Sequence, residues 1–376
     1  FFIYLLFKPI LASAFYDPLS VPNNRYGIHI ADTADIEDAS KLVNSTGGEW
    51  GYITLVIPDT DMNVGKWQEI FNRLRRNKLI PLVRIATHVE GDSWVKPQEH
   101  NIPKWVNFLN SLPWPIENRY VILFNEPNHA KEWGNTIDPE GYASLLVKFS
   151  NALKTSSEDY FILPAGLDAS ATPNGSTIDE ETYIKRMIAS QPNILQTIDG
   201  WTSHSYPNPG FSGSPYAYGK GTLATFLWEQ EFLQTLGLGR ILPVFITETG
   251  WQHSNGKYYD FRLLSPETVS SYITAASFSI WQHQNIVAVT PFVFNYQDYP
   301  FDHFSFKKIN ASDYYVHYYS YQQISKMKGI PQQRESVHIN SQFLPSSMVM
   351  QSTYIVATSI QNTGQSIIYP FSDYSV

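Results

Sequence analysis

The chain has 376 residues, and its 26 Lys and Arg against 34 Asp and Glu give a formal net charge of -8. An acidic chain lacks the basic surface that a phosphate backbone requires, so we expect no nucleic-acid partner. Cysteine is absent, which excludes disulfides, thiolate metal sites and cysteine nucleophiles.

The N-terminal segment has the composition of an export signal. Residues 1–14 form an apolar run that is too short to span a bilayer comfortably, and the run ends in Ala-Ser-Ala at residues 12–14. Small residues in this pattern are typical of a signal cleavage site, and a truncated membrane anchor is the alternative. The signal and the anchor both predict a secreted or cell-surface protein, with possible attachment to the cell surface through its termini, whereas the alternative to both is a buried N-terminal segment.

Eight short strand-like runs follow, separated by segments with apolar residues at helical spacing. The strand-like runs lie at residues 26–30, 52–57, 80–85, 120–124, 161–165, 198–203, 243–247 and 287–294. Helical segments include residues 67–77, 139–154, 223–237, 266–282 and 312–329. Asp138-Pro139 and Ser265-Pro266 each place a capping side chain before a proline, which is typical of a helix start.

Eight strand-plus-helix units predict an α/β fold, a (β/α)8 TIM barrel over residues 25–330. An open doubly wound sheet usually has fewer strands. After Pro331 the helical period is lost, and a β-rich run at residues 352–360 is followed by a turn pattern. We interpret residues 331–376 as a short β-rich extension, either a strand that returns to the barrel or the start of a truncated β-sandwich module. We expect a monomer.

Two glutamates stand directly behind strand-like runs of the predicted barrel. Glu126 follows the fourth run, in LFNEPNHAKEWGN, and Glu248 follows the seventh run, in VFITETGW. Catalytic groups of such barrels sit at the C-terminal ends of the strands, where the fourth and seventh strands lie across the barrel mouth. The two carboxyl groups are therefore expected to face each other. Glycoside hydrolysis with retention needs such a pair, about 5–5.5 Å apart.

Three strand-end motifs, FNEPNHAKEWG, SHSYP and FITETGW, resemble those of the retaining (β/α)8 glycoside hydrolases of clan A. That group contains endo-glucanases, mannanases, xylanases and β-xylosidases. The resemblance implies that Glu126 is the acid/base, that Asn125 holds the sugar 2-hydroxyl and that Glu248 is the nucleophile. It also implies that Tyr206 hydrogen-bonds the nucleophile. Many clan members carry a tryptophan after the eighth strand, whereas FVFNYQDYPF has none there.

Further side chains near the strand ends complete the predicted site. Arg84 is a candidate for the cation that keeps the nucleophile ionised, and a structural ion pair is the alternative. His29 and His204 are candidate contacts for sugar hydroxyls or for the acid pair, or else interior histidines. Trp251 and Tyr296 are candidate stacking faces for a pyranose ring, with a buried lid position as the alternative for Trp251.

Other classes of site are disfavoured by the sequence. No cluster of metal ligands is evident, and the positions of Glu126 and Glu248 around the barrel predict that they do not share one ion. We therefore expect neither metal nor cofactor. The loops after the seventh and eighth strands lack the glycine-rich pattern of a phosphate site. The sequence predicts an exported retaining β-glycoside hydrolase with a poly- or oligosaccharide substrate, and the alternative is a non-catalytic polysaccharide-binding barrel protein of the cell surface.

Overall fold

The computed structural model describes residues 15–343, 346–355 and 357–368. The predicted export signal or anchor, residues 1–14, lies outside the described residues. Among the helices within these ranges, none combines the length and the apolar composition needed to cross a bilayer.

Strands and helices alternate along most of the described chain. The strands are β1 (Gly27–His29), β2 (Gly51–Pro58), β3 (Leu79–Ala86), β4 (Val89–Glu90), β5 (Ser93–Trp94), β6 (Arg119–Leu123), β7 (Tyr160–Pro164), β8 (Trp201–His204), β9 (Val244–Glu248), β10 (Ile286–Val289), β11 (Val337–Phe343) and β12 (Ala357–Asn362). The α-helices are α1 (Ile36–Val43), α2 (Val64–Arg76), α3 (Ile102–Asn110), α4 (Pro139–Ser156), α5 (Glu180–Ser190), α6 (Ile194–Thr197), α7 (Thr225–Thr235), α8 (Pro266–Phe278) and α9 (Val316–Gln323).

Eight of the strands form two parallel sheets. The first sheet has the order β1-β2-β3-β6-β7, and the second has the order β10-β9-β8. Two isolated parallel bridges link the two sheets: one joins Tyr26, just before β1, to Val289 of β10, and the other joins Asp168, in the loop after β7, to His204 of β8. The α/β class and the parallel central sheet predicted from the sequence are confirmed.

Apolar side chains cover both faces of these strands, as is typical of parallel strands that helices enclose. One face joins the main core, which the helices complete. The opposite face forms a second cluster, in which Tyr120 of β6 and Phe161 of β7 contact Phe245 of β9. The ring centroid of Phe245 lies 5.2 Å from that of Tyr120 and 5.7 Å from that of Phe161. The two sheets thus face each other across this cluster, with the carboxyl ends of β6 and β9 on the same side.

The proline-initiated helices are placed as predicted. Asp138 caps α4 and Ser265 caps α8, each by accepting a backbone N–H of the first turn, at 2.8 and 3.1 Å. Such caps stabilise a helix because they satisfy N–H groups that have no partner within it. Two predicted elements are longer than those observed. The eighth strand ends at Val289, and the last helix spans only Val316–Gln323.

The C-terminal residues form a hairpin of their own. β11 and β12 pair antiparallel with each other, and within the described ranges they pair with neither parallel sheet. Gln333 and Gln365 donate side-chain hydrogen bonds to the carbonyls of Pro115 and Ile116, both at 2.7 Å. These carbonyls precede β6, so the hairpin is tied to the end of the sheet opposite Glu126. The division of the chain into a barrel and an extension stays a prediction.

A pair of buried acids lies between α5 and α7. Glu180 and Glu229 have no exposed surface, and as ionised groups their carboxyl oxygens lack hydrogen-bond partners. Burial and the neighbouring acid raise the pKa of Glu180 well above its ordinary value, and burial raises the pKa of Glu229. Two neighbouring buried carboxyl groups cannot both be ionised, because their negative charges would repel each other without solvent to screen them. The pair therefore favours a state in which at least one of the two acids is protonated.

Glu180→Gln should raise the thermal midpoint by about 2 °C or more near pH 8 and change it little near pH 4.5. The folded-state pKa is raised, so the stability from the protonated pair is present in acid. That stability is lost as the pH rises from the ordinary glutamate value through the raised one. Calorimetric unfolding at both pH values tests this. Glu181→Gln is the matched control, because Glu181 is 45% exposed on the same helix; equal shifts in both variants would contradict the prediction.

Candidate active site

The carboxyl ends of the parallel strands surround a cavity of about 660 Å³. This volume lies within the ~300–1,000 Å³ range of small-molecule sites. Most of the lining is aromatic or apolar, and its aromatic side chains are Trp94, Phe124, Tyr206, Phe211, Phe292, Tyr296, Phe301 and Phe304. Polar groups converge at the strand ends, where the predicted acids lie. Such a cavity suits a ligand with flat apolar faces and hydrogen-bonding edges.

Glu126 follows β6 in an unusual backbone conformation. Phe124 and Glu126 have φ angles of +73° and +30°, in the left-handed region that residues other than glycine seldom adopt. The Glu126 N–H donates to the carbonyl of Gly166 at 3.1 Å, and the His129 N–H donates to the Glu126 carbonyl at 2.9 Å. These bonds hold a strained turn, and strain of this kind is concentrated at functional positions.

His204, at the end of β8, lies between the two predicted acids. Its Nδ1 is 2.7 Å from Oε1 of Glu126 and 3.8 Å from Oε2 of Glu248. Gly166 leaves space for the ring, because a Cβ there would lie 2.3 Å from Cδ2 of His204. Burial alone would lower the pKa of His204, but the charges of Glu248 and Glu126 outweigh it and raise this pKa. The two carboxylates therefore shift the titration of His204 toward its protonated form.

Glu248, at the end of β9, is buried among donors. Arg84 donates to Oε1 from Nη1 at 2.5 Å, and the Tyr206 hydroxyl donates to Oε2 at 3.1 Å. Burial would raise the pKa of Glu248, but the positive charges of His204 and Arg84 outweigh burial and lower it to about 2. Glu248 is thus ionised across the neutral range. Arg84 supplies the cation that the sequence predicts for this carboxylate.

His29, in β1, forms part of the cavity wall. Its Nδ1 lies 3.9 Å from Oε1 of Glu248, beyond hydrogen-bond distance. Burial and the charge of Arg84 lower the pKa of His29 to about 3, so the ring is neutral. Among the described residues this Nδ1 has no hydrogen-bond partner. A neutral imidazole with an unpaired nitrogen can donate to, or accept from, a bound ligand.

The two acids lie close enough together to share an ion, which the sequence did not predict. One ligand atom each from Glu126, His204 and Glu248 lies within 4.8 Å of the others. The expectation that the two acids lie too far apart to share an ion is therefore wrong, because the ends of β6 and β9 converge over His204. A cation at this point would lie close to the guanidinium of Arg84, which already contacts Glu248, and like charges repel each other. The set of charges favours a pair of acids over a metal centre.

A chain of hydrogen bonds runs from Glu248 across the cavity. Besides Glu248, Arg84 Nη1 donates to Oδ1 of Asn125 at 2.5 Å, and Nδ2 of Asn125 donates to Oε2 of Glu132 at 3.3 Å. Glu132 lines the cavity and was not identified from the sequence, although it lies in the same motif as Glu126. Burial and the charge of Glu126 raise the pKa of Glu132 to about 7.

His129 and Asp168 form a second polar pair in the cavity wall. Nε2 of His129 is 2.9 Å from Oδ2 of Asp168. This hydrogen bond raises the pKa of His129. Burial would raise the pKa of Asp168, but the hydrogen bonds from His129 and from the Ser170 N–H, together with the charges of nearby histidines, outweigh burial and lower it. Sequence reasoning did not identify His129, and Asp168 could not be distinguished there from an ordinary polar loop residue.

The predicted aromatic platform is only partly correct. Trp251 is 2% exposed, and its indole N–H donates to the carbonyl of Gly213 at 2.9 Å. The stacking role predicted for Trp251 is therefore wrong, and the residue is buried. Tyr296 does line the cavity. Phe292 stands after the eighth parallel strand, where many clan A enzymes have tryptophan, and its ring meets that of His29 edge-on at 5.1 Å.

Most of the side chains predicted from the sequence meet at this cavity. Those that line it are His29, Arg84, Asn125, Glu126, Tyr206, Glu248 and Tyr296. His204 is buried directly behind the two acids, in contact with Glu126. The site therefore gathers residues from four strands, β1, β3, β8 and β9, and from the loops that follow β6, β8 and β10.

Comparison with known proteins finds solved structures with a similar fold but no match by sequence. No protein-family model matches the chain, and no curated protein does. A monomeric β-xylosidase from Caulobacter crescentus CB15 aligns with a TM-score of 0.54 and 12% identity, over 88% of this chain and 76% of the xylosidase. An endo-β-1,3-glucanase of GH128 subgroup II from Pseudomonas viridiflava aligns with a TM-score of 0.52 and 15% identity, over 80% of this chain and 97% of the glucanase.

An endo-β-1,4-glucanase from Xanthomonas axonopodis pv. citri, crystallised as a triple mutant, is also similar. It aligns with a TM-score of 0.54 and 10% identity, over 80% of this chain and 99% of the glucanase. At such identities the likeness establishes the fold alone. The resemblance to clan A glycoside hydrolases that the strand-end motifs indicate is confirmed at that level.

Proposed function

We propose that the protein is a retaining β-glycoside hydrolase that acts on a poly- or oligosaccharide without a metal or cofactor. The observation that supports this most directly is the approach of Glu126 and Glu248 to within 4.8 Å at the cavity. Retaining enzymes use a separation of about 5–5.5 Å, whereas inverting enzymes need about 6.5–9.5 Å to admit a water molecule. The aromatic walls suit the faces of pyranose rings.

The proposed reaction has two displacement steps. In the first step Glu248 attacks the anomeric carbon and forms a glycosyl ester, while Glu126 protonates the leaving oxygen as its bond to that carbon breaks. In the second step Glu126 removes a proton from a water molecule, which attacks the same carbon and releases the Glu248 carboxylate. Each step inverts the anomeric centre, so the β-configuration returns.

The charges around the two acids support these different roles. Arg84 and Tyr206 hold Glu248 as the carboxylate, with its pKa lowered to about 2 chiefly because His204 and Arg84 outweigh burial. Glu126 instead contacts the imidazole of His204 at 2.7 Å. We assign His204 as the hydrogen-bond partner that orients Glu126. The proton that Glu126 gives up in the first step returns to it from water in the second.

The proposal includes the (β/α)8 barrel predicted from the sequence. The two bridges between the sheets, Tyr26 to Val289 and Asp168 to His204, support one (β/α)8 barrel. The carbohydrate substrate agrees with the xylosidase and glucanases that share the fold. Export or cell-surface display and a monomeric state also belong to the proposal.

An activated 2-deoxy-2-fluoro-β-glycoside should inactivate the protein and label Glu248. The fluorine destabilises the oxocarbenium-like transition states of both steps and so slows both. A good leaving group restores the rate of the first step only, so the glycosyl ester accumulates. Gluco-, manno- and xylo-configured reagents should be tested, with mass spectrometry of the intact protein and of its peptides. Glu248→Ala should remain unlabelled. Label on another side chain, or no label from any reagent, would contradict the proposed mechanism.

A further inference from the structure

Glu132 is held firmly in the wall of the cavity. It ends the short 3-10 helix Ala130–Glu132, which packs against the hairpin of β4 and β5. Ser93 Oγ donates to the carbonyl of Lys131 at 2.9 Å, and the Gly134 N–H donates to the carbonyl of Trp94 at 2.8 Å. These bonds precede and follow Glu132 in the chain. The backbone that carries the Glu132 side chain is therefore held by hydrogen bonds on both sides.

The hydrogen bonds of Asn125 require an acceptor at the position of Glu132. Arg84 can only donate, so the atom of Asn125 that faces it at 2.5 Å is Oδ1. The amide nitrogen must then point the other way, toward Oε2 of Glu132 at 3.3 Å. A carboxylate accepts from this nitrogen. The orientation of the Asn125 amide is thus determined from both ends.

The charged groups around Glu132 leave it without a cation of its own. Glu126, Glu248 and His129 face it across the cavity, together with Arg84, which is already bonded to Glu248. On the adjoining hairpin, Glu90 pairs with His88, and Lys96 pairs with Asp138. Within the described ranges no salt bridge includes Glu132. Burial and Glu126 raise its pKa to about 7.

We infer that Glu132 is a positioning residue, which holds the amide of Asn125 in the orientation that contacts the sugar 2-hydroxyl. The inference rests on the proposed function, in which Asn125 makes that contact. Hydrogen bonds to the 2-hydroxyl strengthen in the transition state of glycoside transfer. A rotated Asn125 would present its carbonyl oxygen in place of a donor, so the loss should appear in turnover of substrates that have a 2-hydroxyl.

Glu132→Ala should lower kcat/KM about 10- to 100-fold on an aryl β-glycoside and less than about 3-fold on its 2-deoxy analogue. The probe is whichever of the 4-nitrophenyl β-gluco-, β-manno- or β-xylosides the parent hydrolyses fastest. Glu132→Gln keeps an oxygen that can accept from Asn125, so its loss should be smaller. This variant should also remove an ionisation near pH 7 from the pH profile of kcat/KM, which a merely structural residue would leave unchanged.

Glu158→Gln is the control, because Glu158 is an exposed glutamate outside the cavity, and it should match the parent. Thermal midpoints of all variants show whether they fold. An equal loss on both substrates, or an unchanged pH profile in Glu132→Gln, would overturn the role of Glu132. A parent that hydrolyses none of the probes would overturn the proposed function as well. An active parent, an inactive Glu248→Ala and a fully active Glu132→Ala would overturn this inference alone.

Discussion

Glu248→Ala should lower kcat about 10⁴-fold or more on aryl β-glycosides. The substitution removes the carboxylate that Arg84 and Tyr206 hold ionised at the cavity, and with it the group proposed to form the glycosyl ester. Glu248→Gln should be equally inactive while keeping an oxygen for Arg84, so it separates loss of chemistry from loss of the ion pair. Initial rates and thermal midpoints of both variants give the measurement.

Azide adds a positive test of the same role. In the space that Glu248→Ala opens, azide can attack the anomeric carbon from the side that the carboxylate occupied, so rescued turnover should give the α-glycosyl azide. Glu231→Ala is the control, because Glu231 is exposed on α7. Retained hydrolysis in Glu248→Ala would assign the nucleophile to another residue. A parent that binds β-linked polysaccharides and hydrolyses none would favour the non-catalytic binding protein.

The α/β class and the parallel sheets were predictable because the strands are short apolar runs between helices with strong start signals. Asp138 and Ser265 cap helices where the sequence places them. The positions of the acids were predictable for a related reason, since Glu126 and Glu248 follow short apolar runs of the kind that indicates a buried strand. Local pattern therefore determined which side chains stand at strand ends.

The missed residues depend on contacts that no local pattern encodes. Glu132 and Trp94 reach the cavity because a 3-10 helix packs on the β4–β5 hairpin. His129 joins the site through Asp168, which lies 39 positions away in sequence. In each case the partner comes from a different loop, and the sequence shows neither the loop's path nor its neighbour.

Trp251 shows the opposite error. It follows a strand-end acid closely, and tryptophan at such a place suggests a stacking face. Its indole N–H instead finds the carbonyl of Gly213, in the long loop after β8, and its ring packs near Tyr272 and Trp281 at centroid distances of 5.6 and 6.3 Å. A buried acceptor for the N–H decides where a tryptophan points, and that acceptor is set by a loop whose conformation the sequence does not determine.

Glu126→Gln should affect substrates according to their leaving groups. An alkoxide leaving group needs protonation by Glu126, whereas a dinitrophenolate hardly does, so the glycosyl ester should still form fast only from dinitrophenyl glycosides. Hydrolysis of this ester should slow about 10²- to 10⁴-fold with every substrate, because the same residue activates water. Stopped-flow measurement of a dinitrophenyl β-glycoside should therefore show a burst of phenolate followed by slow turnover.

The pattern of losses distinguishes this role from simple damage to the site. A distorted cavity would slow every substrate alike and give no burst, whereas loss of an acid/base separates the two steps. In Glu126→Ala, azide should accelerate the second step and yield the β-glycosyl azide, the opposite anomer from that expected of Glu248→Ala. The two anomers together would place Glu126 and Glu248 on opposite faces of the sugar. If both variants gave the same anomer, the two acids could not hold the separate roles that their different partners, His204 and Arg84, support.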